Sequence, residues 1–70
     1  MERISVRSSN IRSIGYEEGS STLEVEFTSG SVYQYMGVPQ SEYEPLMNAT
    51  SIGRYLNRNI KGRYHYIQIR

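Results

Sequence analysis

Two glycine turns constrain this chain most, because they cut its first half into three short runs in which apolar and polar residues alternate. Ile11–Glu17, Thr22–Thr28 and Ser31–Gly37 read as strands, and the turns at Gly19–Ser20 and Ser29–Gly30 are short enough for hairpins. The pattern predicts an antiparallel meander, with Ile4–Arg7 as a candidate edge strand. A two-residue turn at Ser29–Gly30 pairs Phe27 with Val32, Val25 with Gln34 and Leu23 with Met36 on one face. It pairs Glu26 with Tyr33 and Glu24 with Tyr35 on the other. Counting back through Gly19–Ser20 adds Ile14 and Tyr16 to the apolar face, and Ser13 and Gly15 to the tyrosine face.

After Pro39 the period changes. Ser41 is an N-cap candidate for a short helix through Asn48, with Glu42 and Glu44 in its first turn and Pro45 early enough to be tolerated. Thr50 or Ser51 caps a second helix, in which Ile52, Tyr55, Leu56 and Ile60 form an apolar stripe to lie on the sheet and Arg54, Arg58 and Lys61 face away. Gly62 marks its stop, and Tyr64–Arg70 alternates as a last strand or an extended arm that rejoins the sheet or reaches another subunit. The expected architecture is therefore α+β: a meander of three to four strands packed on two short helices, with a C-terminal strand or arm. With no repeat, linker or low-complexity tract, residues 1–70 form one domain.

A chain of 70 residues buries only about 60% of its unfolded surface and has little core to spare. Disulfides and metals are not at hand, since there is no Cys and one His, which makes a homo-oligomer a natural support. The absence of Cys, the charged opening with Arg3 and Arg7, and the lack of any long apolar run point to a cytoplasmic protein without a signal peptide or membrane span.

Catalysis needs convergent nucleophiles, acids, bases or metal ligands, and that inventory is thin. There is no Asp, and Ser8-Ser9-Asn10 lacks both a nucleophile elbow and a spaced acid. His65, flanked by Tyr64 and Tyr66, reads as a surface or interface residue, since a metal site needs several ligands. Glu24 and Glu26 share a strand face and read as cross-strand partners of the tyrosines opposite. No enzyme, metal or cofactor is expected.

Binding is better served. Tyr33 and Tyr35, two apart on a strand, project from one face and suit either the stacking of bases or a second layer of core or interface. Charge is segregated: residues 1–44 hold all seven acids against three arginines, whereas residues 45–70 hold five cations and no acid. Such a half suits an anionic partner or the acidic half of another copy. Arg54, Arg58, Lys61 and Arg63 form a cationic ridge followed directly by Tyr64 and Tyr66, and cations mixed with aromatics are how single strands are held.

The order Val6-x-Ser8-Ser9-Asn10-Ile11, Gly15-Tyr16, Leu23-Glu-Val-Glu-Phe27, Gly30, Tyr33-x-Tyr35, Gly37-Val-Pro39, Ala49-Thr-Ser-Ile-Gly53 and Tyr64-x-Tyr66 resembles the KTSC domain over nearly the whole chain. That family is named for the C-terminus of some lysyl-tRNA synthetases and also occurs as stand-alone proteins of bacteria and their phages, the form this length resembles. The resemblance singles out Ser8, Ser9, Tyr33, Tyr35, Ser51 and Gly53 and implies RNA binding by association with the synthetases.

The leading expectation is a non-catalytic binder of nucleic acid or nucleotide, RNA first. Tyr33 and Tyr35 would stack rings, the cationic ridge would hold phosphates, and Ser8 or Ser9 would hydrogen-bond. One alternative is an oligomeric phage sponge that sequesters a cyclic-nucleotide signal of host defence. Another is an adaptor whose tyrosine face contacts a protein.

Overall fold

The structure is a computed structural model describing residues 1–70. Five strands form one antiparallel sheet in chain order: β1 (Ile4–Ser5), β2 (Ile11–Glu17), β3 (Thr22–Phe27), β4 (Val32–Tyr35) and β5 (Tyr66–Gln68). Consecutive hairpins place each of the first four strands beside its predecessor. The tail then returns to pair with β4, Tyr35 with Tyr66 and Tyr33 with Gln68, so it closes its own sheet. The count exceeds the expected three to four because both the edge candidate and the tail are strands.

The β2–β3 register is as the sequence predicts, with Ile14 opposite Val25 and Tyr16 opposite Leu23. The β3–β4 register is not. Val25 pairs with Tyr33 and Leu23 with Tyr35, while Glu24 pairs with Gln34 and Glu26 with Val32. The cause is the turn. Gly30 N–H donates to Phe27 O at 2.9 Å, Phe27 N–H donates to Ser31 O at 2.9 Å, and Gly30 sits at φ 99°. The loop thus has three residues and ends in a left-handed glycine rather than having two, and one extra residue moves every β4 side chain to the opposite face. Tyr33 and Tyr35 consequently join the apolar face with Leu23 and Val25, and Glu24 and Glu26 lose the tyrosine partners expected for them.

That apolar face is covered by α1 (Gln40–Met47) and α2 (Ile52–Tyr55), the latter running on into a wide π turn over Leu56–Ile60. α1 starts earlier than Ser41 predicts, because the Pro39 carbonyl already accepts from Glu42 N–H and Tyr43 N–H and Pro39 itself is the N-cap. α2 is capped by Ser51, whose hydroxyl accepts from Arg54 N–H at 3.3 Å. Ile52, Leu56 and Ile60 of the predicted stripe are buried with Ile11, Ile14, Leu23, Val25, Tyr35, Val38 and Leu46. Tyr16 stacks on Tyr43 at 4.5 Å and donates its hydroxyl to Val38 O at 2.6 Å, which ties β2 to the segment entering α1.

The other face of the sheet is polar and fully engaged. Arg3 donates to Glu24 and, at 3.1 Å, to Ser13 Oγ, and Ser13 donates in turn to Glu26 at 2.7 Å. Gln34 donates to Glu24 at 2.8 Å, and Arg70 to Glu26 at 3.1 Å. Gly15 lets the N-terminal segment cross here, since a Cβ on it would stand 2.5 Å from the Glu2 carbonyl. No helix is long and apolar enough to cross a membrane.

Candidate nucleic-acid interface

Asn10 lines two cavities that open on the molecule. The first, about 440 Å³, lies where the loop after β1 meets the start of α2. Arg7, Ser8, Ser9 and Asn10 form one wall, and Thr50, Ser51, Gly53, Arg54 and Asn57 form the other, so that all but Ile52 of its lining is polar, cationic or glycine. Within it Ser8 Oγ donates to Asn10 Oδ1 at 3.2 Å and accepts from Asn10 N–H at 3.4 Å. Gly53 permits the approach of the two walls, because a Cβ there would stand 2.8 Å from Asn10 Oδ1. Ser8, Ser9, Ser51, Gly53 and Arg54, singled out from two distant stretches of sequence, are therefore brought into one cleft.

The second cavity, about 520 Å³, is built on the tyrosines. Phe27, Tyr33, Tyr35 and Tyr66 line it with Asn10, Thr28, Ser29, Ser31, Lys61 and Gly62. The slipped register creates it, because Tyr33 and Tyr35 now share a face with Phe27 and, across β5, with Tyr66. Tyr66 stands 5.5 Å from Tyr33 and 5.9 Å from Tyr35, both tilted, while Phe27 meets Tyr33 edge-on at 5.6 Å. The structure divides the pair between the two uses open to it: Tyr35 is 2% exposed and belongs to the core, Tyr33 is half-buried, and Tyr66 presents the open ring. Burial first, then neighbouring Tyr33 and Tyr66, pushes the Tyr35 hydroxyl up to about 12. Lys61 Nζ lies 5.2 Å from the Phe27 ring centroid, a cation–π contact that holds the ammonium at the cavity wall.

Electrostatics divides the cations sharply. Arg3, Arg12 and Arg70 pair with Glu24 or Glu26 on the polar face, whereas Arg7, Arg54, Arg58, Lys61 and Arg63 form no ion pair. The Glu26 carboxyl is held below the usual range by the Ser13 hydroxyl first, then by Arg3, Arg12 and Arg70. Arg54 and Arg7 line the serine cleft and Lys61 the tyrosine cavity, while Arg58 and Arg63 are exposed outside both. Tyr64 also leaves the expected array. Its hydroxyl donates to Glu42 at 3.2 Å, beside the Tyr55 hydroxyl on the other oxygen of the same carboxylate, so it fastens the tail to α1. Burial and this carboxylate raise the Tyr64 hydroxyl, and the carboxylate first raises that of Tyr55.

Sequence reasoning missed Arg7, Asn57, Phe27, Ser29 and Ser31, which are joined to the site only by folding. Asn10 stood in the Ser8-Ser9-Asn10 run without a role assigned to it. No cluster of three or more His, Cys, Asp or Glu side chains that could hold a metal is present.

Comparison with known proteins finds relatives of this chain. The family model described as KTSC domain matches residues 7–64. An uncharacterized protein of Stutzerimonas stutzeri (strain A1501) is 40% identical over 65 residues, covering 93% of this chain and 92% of that protein. A lysine–tRNA ligase of Nostoc punctiforme is 46% identical over 59 residues, 84% of this chain but 10% of the ligase. The crystal structure of a KTSC domain protein from Yersinia pestis superposes with a TM-score of 0.95 at 39% identity, covering 99% of this chain and 97% of that one.

Proposed function

The chain belongs to the KTSC domain family, and we propose that it is a non-catalytic binder of nucleic acid, RNA in the first place. One observation carries this. The cations without a carboxylate partner include the three that line the two cavities, Arg7, Arg54 and Lys61, and those cavities meet at Asn10. An unpaired arginine beside serine hydroxyls and asparagine amides is a phosphate-binding chemistry, and guanidinium groups suit phosphate forks. The similarity to a segment of a lysine–tRNA ligase supports RNA as the polymer, since tRNA is what that enzyme's name says it charges.

In this reading the Arg7–Ser8–Ser9–Arg54 cleft takes backbone phosphate, with Arg58 and Arg63 adding field rather than contact. Fluorescence anisotropy of a labelled 12-nucleotide RNA tests it. Arg54→Ala is expected to weaken binding about tenfold, the size of one charged hydrogen bond, with the melting temperature unmoved. The absence of RNA binding at low salt would overturn the proposal. Tight binding of a cyclic nucleotide in place of the strand, by an oligomer, would replace it with the sponge.

A second reading, the protein adaptor, is favoured by the β5 edge, where Tyr66, Ile67 and Ile69 are 54%, 45% and 48% exposed. An unprotected strand edge with exposed apolar groups is open to pairing with another chain. A protein captured from lysate by the wild type, retained after nuclease and lost in Ile67→Lys, is the result this reading requires.

A further inference from the structure

We infer that the tyrosine cavity takes a single base swung out of its stack, which makes the nucleic acid bound by this chain single-stranded. The inference rests on the binding function proposed above and deepens it. Its basis is the shape and chemistry of the cavity formed by the slipped β4 register. Phe27, Tyr33, Tyr35 and Tyr66 pack against one another, with neighbouring ring centroids 5.5 to 6.4 Å apart, and form one aromatic side of it, Tyr35 deepest and Tyr66 on the edge strand most open. A concave space of about 520 Å³ is in the range that encloses a small ligand. It is far too narrow for a duplex, whose bases are covered by their own stack and backbone.

Four rings favour a flat π-system over a phosphate, because a phosphate placed on ring faces would lose its water and gain no donor. The rim is different. Asn10, Ser29 and Ser31 supply hydrogen-bonding groups where the edge of an inserted ring would lie, and Lys61 supplies a cation that no carboxylate neutralises. An aromatic side with a polar, cationic rim matches a base attached to its sugar-phosphate, and fits a purely apolar ligand poorly. Asn10 links this cavity to the serine–arginine cleft, so a strand with one base inserted runs its next phosphate towards Arg54. In a duplex the same insertion first requires a base to be unpaired and unstacked.

The test compares three labelled RNAs on the full chain: a 12-nucleotide strand, the same strand annealed to its complement, and the same strand with abasic sites throughout. The wild type is expected to bind the single strand at least about tenfold more tightly than the other two, within the span of one stacked base. Tyr66→Ala is expected to erase that difference by weakening only the strand with bases. Arg54→Ala is expected to weaken all three. Equal binding of the strand and its abasic copy by the wild type overturns the inference while leaving the phosphate-binding function standing, and needs no variant to fold. An equal loss on all three RNAs in Tyr66→Ala overturns it in the same way. Failure of every RNA to bind overturns both.

Discussion

The two sides of the sheet treat charge in opposite ways. On the polar face Glu24 and Glu26 are surrounded by Arg3, Arg12, Arg70, Ser13 and Gln34, and every one of those groups is spent on a neighbour. On the helix side the only carboxylate drawn inward, Glu42, is taken by two tyrosines, and Arg7, Arg54, Arg58, Lys61 and Arg63 are left without partners. In a chain with so small a core, charges that satisfy each other serve folding. Charges left unsatisfied beside cavities are available to a ligand. The overall charge of +1 thus hides two surfaces with different duties.

The sharpest way to break this division is to cross its roles. Replacing both cavity cations, Arg54→Ala with Lys61→Ala, is expected to weaken RNA binding about 100-fold, two charged hydrogen bonds' worth, without lowering the melting temperature. A protein that melts early instead would move these cations to the structural side. The converse, Arg3→Ala, leaves Glu24, whose side chain is 7% exposed, without its guanidinium. Chemical denaturation is expected to show a loss of about 2 kcal/mol, since Gln34 remains bonded to the stranded carboxylate, while RNA affinity stays within about twofold. A large fall in affinity at full stability would mean that the polar face also meets the ligand.

A smaller effect separates the two faces by pH. Tyr35 has its folded-state value raised to about 12, so its contribution is complete below the unfolded value of about 10 and is lost as pH rises through the folded one. Tyr35→Phe is expected to reduce the loss of stability between about pH 10 and 12, the remainder being carried by the raised hydroxyls of Tyr55 and Tyr64. Glu26 has the opposite sign: its lowered value gives stability present above about pH 4.3 and lost as pH falls through the folded value. The alkaline limb should therefore respond to Tyr35 and the acid limb to Ser13→Ala, each leaving the other limb unchanged.

Much of this was legible beforehand, and what was not has a specific cause. Alternation and glycine turns locate β2, β3 and β4, and Ser51 followed by Ile52, Leu56 and Ile60 locates the second helix, because these signals are local. The face of the tyrosines was misread because Ser29–Gly30 serves equally as a two-residue turn and as the end of a three-residue loop, and only the pairing of Phe27 with Ser31 decides between them. The partners of Glu24 and Glu26 followed from that misreading, and from Arg3, which reaches them only once β1 is laid beside β2. The serine cleft joins residues 7–10 to residues 50–57 through closure of the whole chain, so Ser8, Ser9, Ser51 and Gly53 are legible singly through family resemblance and Arg54 through the cationic ridge, whereas Arg7, Asn57 and the meeting of the two stretches are not.

Phosphate binding by unpaired cations is read most plainly in the salt dependence of RNA binding, because cations that hold phosphates must release counterions. With Arg7, Arg54 and Lys61 engaged, log K for a single strand should fall against log salt with a slope of about −2, flattened to about −0.7 in the Arg54→Ala, Lys61→Ala variant, which keeps only Arg7. A slope near zero, or one that the double variant leaves unchanged, would mean that these cations do not hold phosphate.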